Sequence, residues 1–307
     1  MTDQTGSSDS SKWLKHIDGM IEEDEDEENE IDSEAIYYKI VRDMLISEEN
    51  PDNAVSGAIQ KFYDYYIAGF SGEDFGGREP PEYDAGGTLN SIADIVFELV
   101  AKIPFTDLKQ NILSNFLIGI AKNAADSFDE KDPRFVCWSW GIQAAAVERW
   151  NACHIDAGRL DREGPAIDEA IDRWLSTTAL IAKLFQADLL GAYGPLWLSN
   201  DFIRAFKTHT DGDYTKHPVR QAQILAVANY IFLAGEALAQ DAKIASPERR
   251  YDLDAENWKL WASKLKEVSD TVDENVRWDL KEKTRKAYEK MIELYPEPFS
   301  SDQKTGE

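Results

Sequence analysis

The sequence predicts an all-α protein of about ten helices with no sheet. Apolar residues recur every three or four positions through most of the 307-residue chain, which is the spacing that gives a helix one buried face. No segment alternates apolar and polar residues over a useful length, as a half-buried strand would. Successive helix pairs at roughly 40-residue spacing are compatible with a single bundle or a helical-repeat-like domain.

Residues 1–32 are predicted to form a disordered acidic tail. Nine acidic residues stand between Glu22 and Asp32, and few apolar residues are present to offset the entropy of ordering. The helical domain is predicted over residues 33–296, followed by a short disordered tail over residues 297–307. A long loop over residues 71–88 holds five glycines and two prolines, and loops of this length are often lids or binding loops.

The first two predicted helices follow the acidic tail. Ser33 is the predicted N-cap of the first. Pro51 begins the second, which ends near Gly69 because glycine tolerates the left-handed conformation at a helix C-terminus. Their apolar residues recur at helical spacing, with Ile36, Tyr37, Ile40, Val41, Met44 and Leu45 in the first and Val55, Ile59, Phe62 and Tyr66 in the second.

Two further helices are predicted after the long loop, as an antiparallel pair. Thr88 caps the third helix and Pro104 closes it, and Thr106 opens the fourth. The apolar residues again keep helical spacing, with Ile92, Ile95, Val96, Leu99 and Ile103 in the third helix and Ile112, Leu113, Phe116, Leu117 and Ile120 in the fourth.

A central helix is predicted from about residue 135 to residue 155, where almost every side chain is apolar or small. Glu148 and Arg149 interrupt it, and buried charges need partners or a functional reason. They are candidates for binding a polar ligand in an aromatic pocket formed by Trp138, Trp150 and Trp174. The alternative is that this face reaches solvent or pairs with charges on neighbouring helices.

A long helix is predicted to begin near Pro165, and a Gly-Pro pair then starts a shorter one. On the shorter helix, Trp197, Asp201 and Arg204 stand at helical spacing near a turn, where side chains can border a cleft. They are candidate ligand-binding residues, although an Asp and an Arg at positions i and i+3 more often form a weak surface pair.

Asp168, Glu169 and Asp172 resemble the metal-binding aspartate motif of class I terpene cyclases, which are also all-helical. At 100° per residue, however, these carboxylates point away from the apolar stripe of their helix. Arg204 also stands where the second metal motif of those enzymes needs a hydroxyl. The four histidines show no metal-ligand spacing, so the sequence predicts no metal and no cofactor.

Three carboxy-terminal segments share a hydrophobic pattern. A nearly all-apolar helix runs from Arg220 to Gly235, the next helix carries Trp258 and Trp261 on one face, and the chain ends with a segment from Met291 to Phe299. This order resembles a fungal all-helical family of unknown function. The resemblance implies an all-α fold and a fungal origin, and it supplies no activity or catalytic residue.

Residues 259–290 hold nine basic and seven acidic residues, which makes them the least acidic part of the chain. Arg277, Lys281 and Arg285 are candidate docking residues for the Glu22–Asp32 run or for an acidic partner. The alternative is an exposed helix whose mixed charges serve solubility.

The composition of the chain excludes some classes of partner and indicates a cellular compartment. The net charge of −25 argues against nucleic acid and against anionic membranes, because neutralising phosphates requires a basic face. The longest apolar stretch, Ile224 to Gly235, is too short to span a bilayer. The amino terminus lacks a secretory signal, and Cys137 and Cys153, if they share one helix, lie too far apart for a disulfide. We therefore expect a cytoplasmic or nuclear protein that is not secreted.

Two functions of different class remain. The preferred one is a non-catalytic helical interaction or scaffold protein that binds another protein. The alternative is a secondary-metabolism protein of cyclase or isomerase type that binds a small apolar metabolite in the aromatic pocket. No phosphate-binding loop, nucleophile elbow or dinucleotide fingerprint occurs in the sequence.

Overall fold

The computed structural model contains eleven α-helices and no strand in the residues that it describes, which confirms the all-α prediction. Those residues are 6–26, 34–71, 85–122, 140–155, 167–207, 212–244 and 250–300. The chain divides into two compact units, residues 1–151 and residues 152–307, where the sequence predicts a single domain.

The first unit holds five helices and most of a sixth. Its core is built from the helix faces that the apolar spacing predicts, and Phe62, Ile92, Val96, Phe116 and Leu117 are wholly buried there. Counted from the amino terminus of the structure, the third helix, which starts at Pro51, packs against the second and the fifth. The helices are α1 (Gly6–Asp26), α2 (Ala35–Ile46), α3 (Pro51–Ser71), α4 (Ala85–Val100), α5 (Lys109–Lys122) and α6 (Trp140–Cys153).

The amino-terminal segment differs from the predicted disordered tail over residues 1–32, because Gly6–Asp26 form α1. Trp13, Ile17 and Ile21 stand four residues apart, and all three are buried. Composition missed this helix because a narrow apolar stripe is enough when another helix offers a surface to cover. The remainder of the predicted tail, residues 1–5 and 27–33, lies outside the described residues.

Three other predictions concern segments that are only partly described. The predicted loop over residues 71–88 overlaps the end of α3 and the first turn of α4, and its central part, with the proposed lid, lies outside the described residues. Trp138 also lies outside them. In the predicted tail over residues 297–307, Glu297–Phe299 form a 3-10 turn, and residues 301–307 are not described.

The second unit is built around one long buried helix. This helix packs against the two helices before it and the two after it, and 17 of its 26 residues are buried. The five helices of the unit are α7 (Ile167–Gln186), α8 (Tyr193–Phe206), α9 (Pro218–Lys243), α10 (Ala255–Thr271) and α11 (Leu280–Leu294).

Among the described helices, α9 is long and apolar enough to cross a membrane by length and composition alone. The apolar stretch from Ile224 to Gly235 is shorter than the helix, because α9 continues through polar residues at both ends. In the structure, 72% of the apolar window is buried inside the protein, which is typical of a core helix.

Candidate functional site

A buried carboxylate lies at the centre of the polar cluster in the second unit. Asp201 on α8 has only 3% of its surface exposed. The Tyr230 hydroxyl on α9 donates to Asp201 Oδ2 at 2.6 Å, and Arg204 Nη1 donates to Asp201 Oδ1 at 3.0 Å. Both carboxylate oxygens therefore accept a hydrogen bond from within the unit.

The protonation of Tyr230 is fixed by its surroundings. Its side chain is fully buried, and this burial raises the phenol pKa well above its ordinary value. The negative charge of Asp201 and its hydrogen bond with the phenol raise the pKa further. Tyr230 is therefore a neutral hydrogen-bond donor at any physiological pH.

The buried position of Asp201 follows from the sequence of α8. Pro195 stands in the first turn, where proline favours a helix, and Trp197, Leu198 and Phe202 form the face that packs into the core. Asp201 lies on this face. The sequence favours a surface pair between Asp201 and Arg204, whereas the structure keeps the pair and buries the acidic partner.

A second polar group ties the end of α8 to the start of α9. The Arg220 side chain is buried, and it donates to the carbonyls of Arg204 at 3.1 Å and Ala205 at 2.8 Å. These carbonyls lie in the last turn of α8, where a helix leaves its acceptors without intrahelical partners. Arg220 also donates to Gln223 Oε1 at 2.5 Å, and Gln223 donates to the Ile155 carbonyl at 3.1 Å.

The sequence places Arg220 and Gln223 in an apolar helix and assigns neither of them to the site. The available signal is an arginine two residues after the proline that starts a core helix, because a charge at such a position needs a dedicated acceptor. The structure supplies backbone carbonyls as that acceptor. Burial lowers the pKa of Arg220.

Aromatic side chains fill the space around the carboxylate. Phe202 stacks on Trp261 with 4.3 Å between the ring centroids, and its ring lies 6.3 Å from that of Tyr230. Trp197 is buried and stacks with Tyr193, whose surface is 50% exposed. The site is therefore packed largely by its own side chains.

Two buried indole groups are exceptions to this internal pairing. Within the described part of the chain, the indole N–H of Trp174 and that of Trp261 make no hydrogen bond. Trp174 packs edge-on against His154, with ring centroids 6.0 Å apart. A buried donor without an acceptor is costly, so an additional acceptor would be favourable at each of these two N–H groups.

The candidate residues of the central helix lie in the first unit. Glu148 is exposed. Arg149 Nε donates to Asp94 Oδ1 at 2.6 Å, and Arg149 Nη2 pairs with the other carboxylate oxygen, which is the pairing that the alternative interpretation describes. Trp150 is buried, but Trp174 belongs to the second unit, so the three-tryptophan pocket stays a prediction.

One aspartate of the motif that resembles terpene cyclases is paired with a basic side chain. Asp168 is largely exposed, and it accepts a hydrogen bond from Arg277 at 2.6 Å. No group of three or more His, Cys, Asp and Glu residues in the described chain is arranged to hold a metal ion.

The three candidate docking residues each have a local acidic neighbour. Arg277 pairs with Asp168 and lies over the ring of Trp278. Lys281 Nζ lies 3.9 Å from Glu274. Arg285 reaches Glu282 at 2.6 Å and Glu289 at 2.5 Å, and its hydrogen bonds are the main reason that the pKa of Glu282 falls to about 2. Much of the basic charge of this surface is therefore balanced within the unit.

Comparison with known proteins adds a family and no activity. The sequence profile of a family described as "Protein of unknown function (DUF3632)" matches residues 94–278. The match begins within α4 and ends in the turn before α11. It includes the Asp201 cluster and the Arg220 cluster. No curated protein and no solved structure matches the chain. The chain therefore belongs to the DUF3632 family of proteins of unknown function.

Proposed function

We propose that this protein is a non-catalytic helical interaction protein that binds another protein through its surface. The observation that carries the proposal is the internal pairing of the side chains expected to bind a ligand. Asp201 is bonded to Tyr230 and Arg204, and Arg149 is bonded to Asp94. These side chains make their hydrogen bonds to other side chains of the protein.

The chemistry of the buried cluster supports a structural role. A general acid or base must exchange its proton with a substrate, and its pKa must lie near the working pH. The Tyr230 hydroxyl holds its proton because burial and Asp201 both raise its pKa. A buried hydrogen-bonded network of this kind fixes the relative position of the helices that carry it.

Tyr193 is the side chain that best fits a contact with a partner. Half of its surface is exposed while its ring stacks on buried Trp197 at 5.8 Å. An aromatic ring held in place loses little entropy on binding, and tyrosine is enriched among the residues that dominate interfaces.

The test compares a surface variant with a core variant. Partners are captured with the full chain, and the affinity of each purified partner is then measured by isothermal titration calorimetry. We expect Tyr193→Ser to weaken binding by about tenfold or more, equivalent to ~1.4 kcal/mol. Asp201→Asn, measured where it remains folded, should leave the affinity unchanged. A protein without a reproducible partner would contradict the proposal.

The orphan donors of Trp174 and Trp261 favour the second candidate, a cyclase or isomerase type of pathway protein that binds an apolar metabolite. A metabolite with one acceptor atom could satisfy such a donor. A thermal-shift screen tests this candidate, because a ligand of the folded state raises the melting temperature. A shift that occurs in the wild type and is lost in Trp174→Phe would favour the pocket over the interaction surface.

We further propose a cytoplasmic or nuclear protein of fungal origin that binds neither nucleic acid nor membranes. The resemblance of the carboxy-terminal helices supports the origin, and the net charge of −25 supports the absence of polyanionic partners. Fluorescence microscopy of the tagged chain tests the compartment.

A further inference from the structure

We propose that α1 is a displaceable helix that covers a docking groove in the first unit, and that the groove's other occupant is an acidic amphipathic helix of another protein. The groove is the surface of α2 with contributions from Glu98 on α4 and from Lys109 on α5, which lies over the ring of Trp13, and it is called the α1 groove below. This inference rests on the proposed function, since it adds a second partner-binding surface to the one that contains Tyr193.

The apolar contacts of α1 have the pattern of a helix bound in a groove. Trp13, Ile17 and Ile21 stand at positions i, i+4 and i+8, and they are 4%, 0% and 9% exposed. Helix-in-groove recognition uses a small number of anchors at this spacing. Lys12, Lys15, Glu22, Glu23 and Glu25 are exposed on the same helix, so α1 is amphipathic.

Basic side chains at the edge of the α1 groove select an acidic helix. Arg42 Nε donates to Asp18 Oδ1 at 2.5 Å, and Lys39 pairs with Glu25. Residues 1–151 hold 31 acidic and only 12 basic residues. Two basic side chains paired with one acidic helix therefore form a local charge complement in a strongly negative unit.

Two further contacts fix the position of α1 along the groove. Asp24 Oδ2 accepts a hydrogen bond from the Ala35 backbone N–H at 2.5 Å, at the start of α2, where the N-cap residue Glu34 makes no side-chain cap bond. His16 Nε2 lies 2.8 Å from Glu98 on α4. A partner helix that replaces α1 needs a carboxylate at the position of Asp24.

The composition of α1 makes it easier to release than α2. Ordering its 21 residues is set against three buried apolar side chains among residues 12–25, whereas α2 buries seven of its 12 residues. The ion pairs of α1 are partly exposed, and such pairs contribute little and are screened by salt. Opening of α1 alone therefore costs less than unfolding the unit.

The experiment uses the full chain and a fluorescent peptide of residues 6–26 as the probe. Ile17→Asp places a charge at a wholly buried position of α1 and should release this helix. Lys15→Asp is the matched control, because it introduces the same side chain at an exposed position of the same helix. Hydrogen exchange reports the protection of each helix, and fluorescence anisotropy reports peptide binding.

We expect Ile17→Asp to abolish the protection of α1 and to leave α4 and α5 protected. The peptide should bind this variant about tenfold or more tightly than it binds the wild type or Lys15→Asp, and higher salt should weaken this binding. A peptide with alanine at positions 13, 17 and 21 should not bind.

Three results would overturn the inference. The first is no gain in peptide binding although α4 and α5 remain protected. The second is loss of protection throughout α2–α5, which would make α1 an integral part of the core. The third is a dimer that exchanges α1 between copies and takes up no peptide. Peptide binding without any cellular partner would uphold the groove and count against the proposed function.

Discussion

Removal of one buried hydroxyl group tests the central cluster of the second unit. In Tyr230→Phe, the ring keeps its packing and only the group that donates to Asp201 at 2.6 Å is lost. Hydrogen bonds to charged groups contribute about 1.5–3 kcal/mol, and Asp201 stays buried with one of its donors removed. We therefore expect the free energy of unfolding to fall by about 2–3 kcal/mol.

The assay is urea denaturation followed by far-UV circular dichroism, with a thermal melt in parallel. For a unit of this size, the expected loss corresponds to a fall in melting temperature of roughly 5–10 °C. Tyr193→Phe is the matched control because its hydroxyl belongs to a half-exposed side chain, and its effect should remain within about 0.5 kcal/mol. The double variant that combines Tyr230→Phe with Asp201→Asn should show a coupling energy of about 1 kcal/mol or more.

A loss below about 0.5 kcal/mol in Tyr230→Phe would refute the reasoning, because a donor that is fully buried against a carboxylate cannot be replaced at no cost. Additive effects of Tyr230→Phe and Asp201→Asn would also refute it, since additivity would mean that the two side chains do not interact.

Three further predictions follow from packing and burial. Gly194→Ala should destabilise the protein by about 1–3 kcal/mol, since the new Cβ would lie 2.5 Å from an aromatic ring. Gly57→Ala is the control, because its Cβ would point into open space, and it should be neutral or stabilising by up to about 1 kcal/mol. Trp258→Phe should lower the free energy of unfolding by about 0.5–1.5 kcal/mol more than Trp261→Phe does, because only the first substitution removes an indole hydrogen bond. Urea denaturation measures the stability of these two variants and of the two glycine variants. Burial lowers the pKa of Lys183 from 10.5 to about 8. Between these two pH values the unfolded chain binds more protons than the folded chain does, so the free energy of unfolding should rise from pH 8 to 10.5. Urea midpoints across this range should rise less steeply for Lys183→Met, and an equal slope in both proteins would contradict this assignment.

Much of the fold follows from local information. Helical spacing of apolar residues is a property of short segments, and it identifies the buried faces of α2, α3, α4 and α5 as well as the class of the protein. Pro51 marks the start of α3 as predicted. Gly69 was a less accurate boundary, since α3 continues to Ser71, because glycine permits a helix end without requiring one.

Only part of the candidate site can be predicted from local sequence. The sequence selects Asp201 and Arg204 because they are spaced for contact on one helix. It does not reveal Tyr230, which lies 29 positions further along the chain, or the carbonyl acceptors of Arg220. Pairing between helices depends on which faces meet, and the spacing within a single helix does not contain that information.

The sequence by itself determined the all-α class, the buried character of α9 and the strong negative charge, because these depend on composition and on a period of 3.6 residues. The tertiary structure decided that Asp201 is buried, that Arg149 is paired with Asp94 and that residues 6–26 form a helix. In each case the free energy comes from a contact between distant segments. A side chain's burial and its partner exist only after those segments pack together.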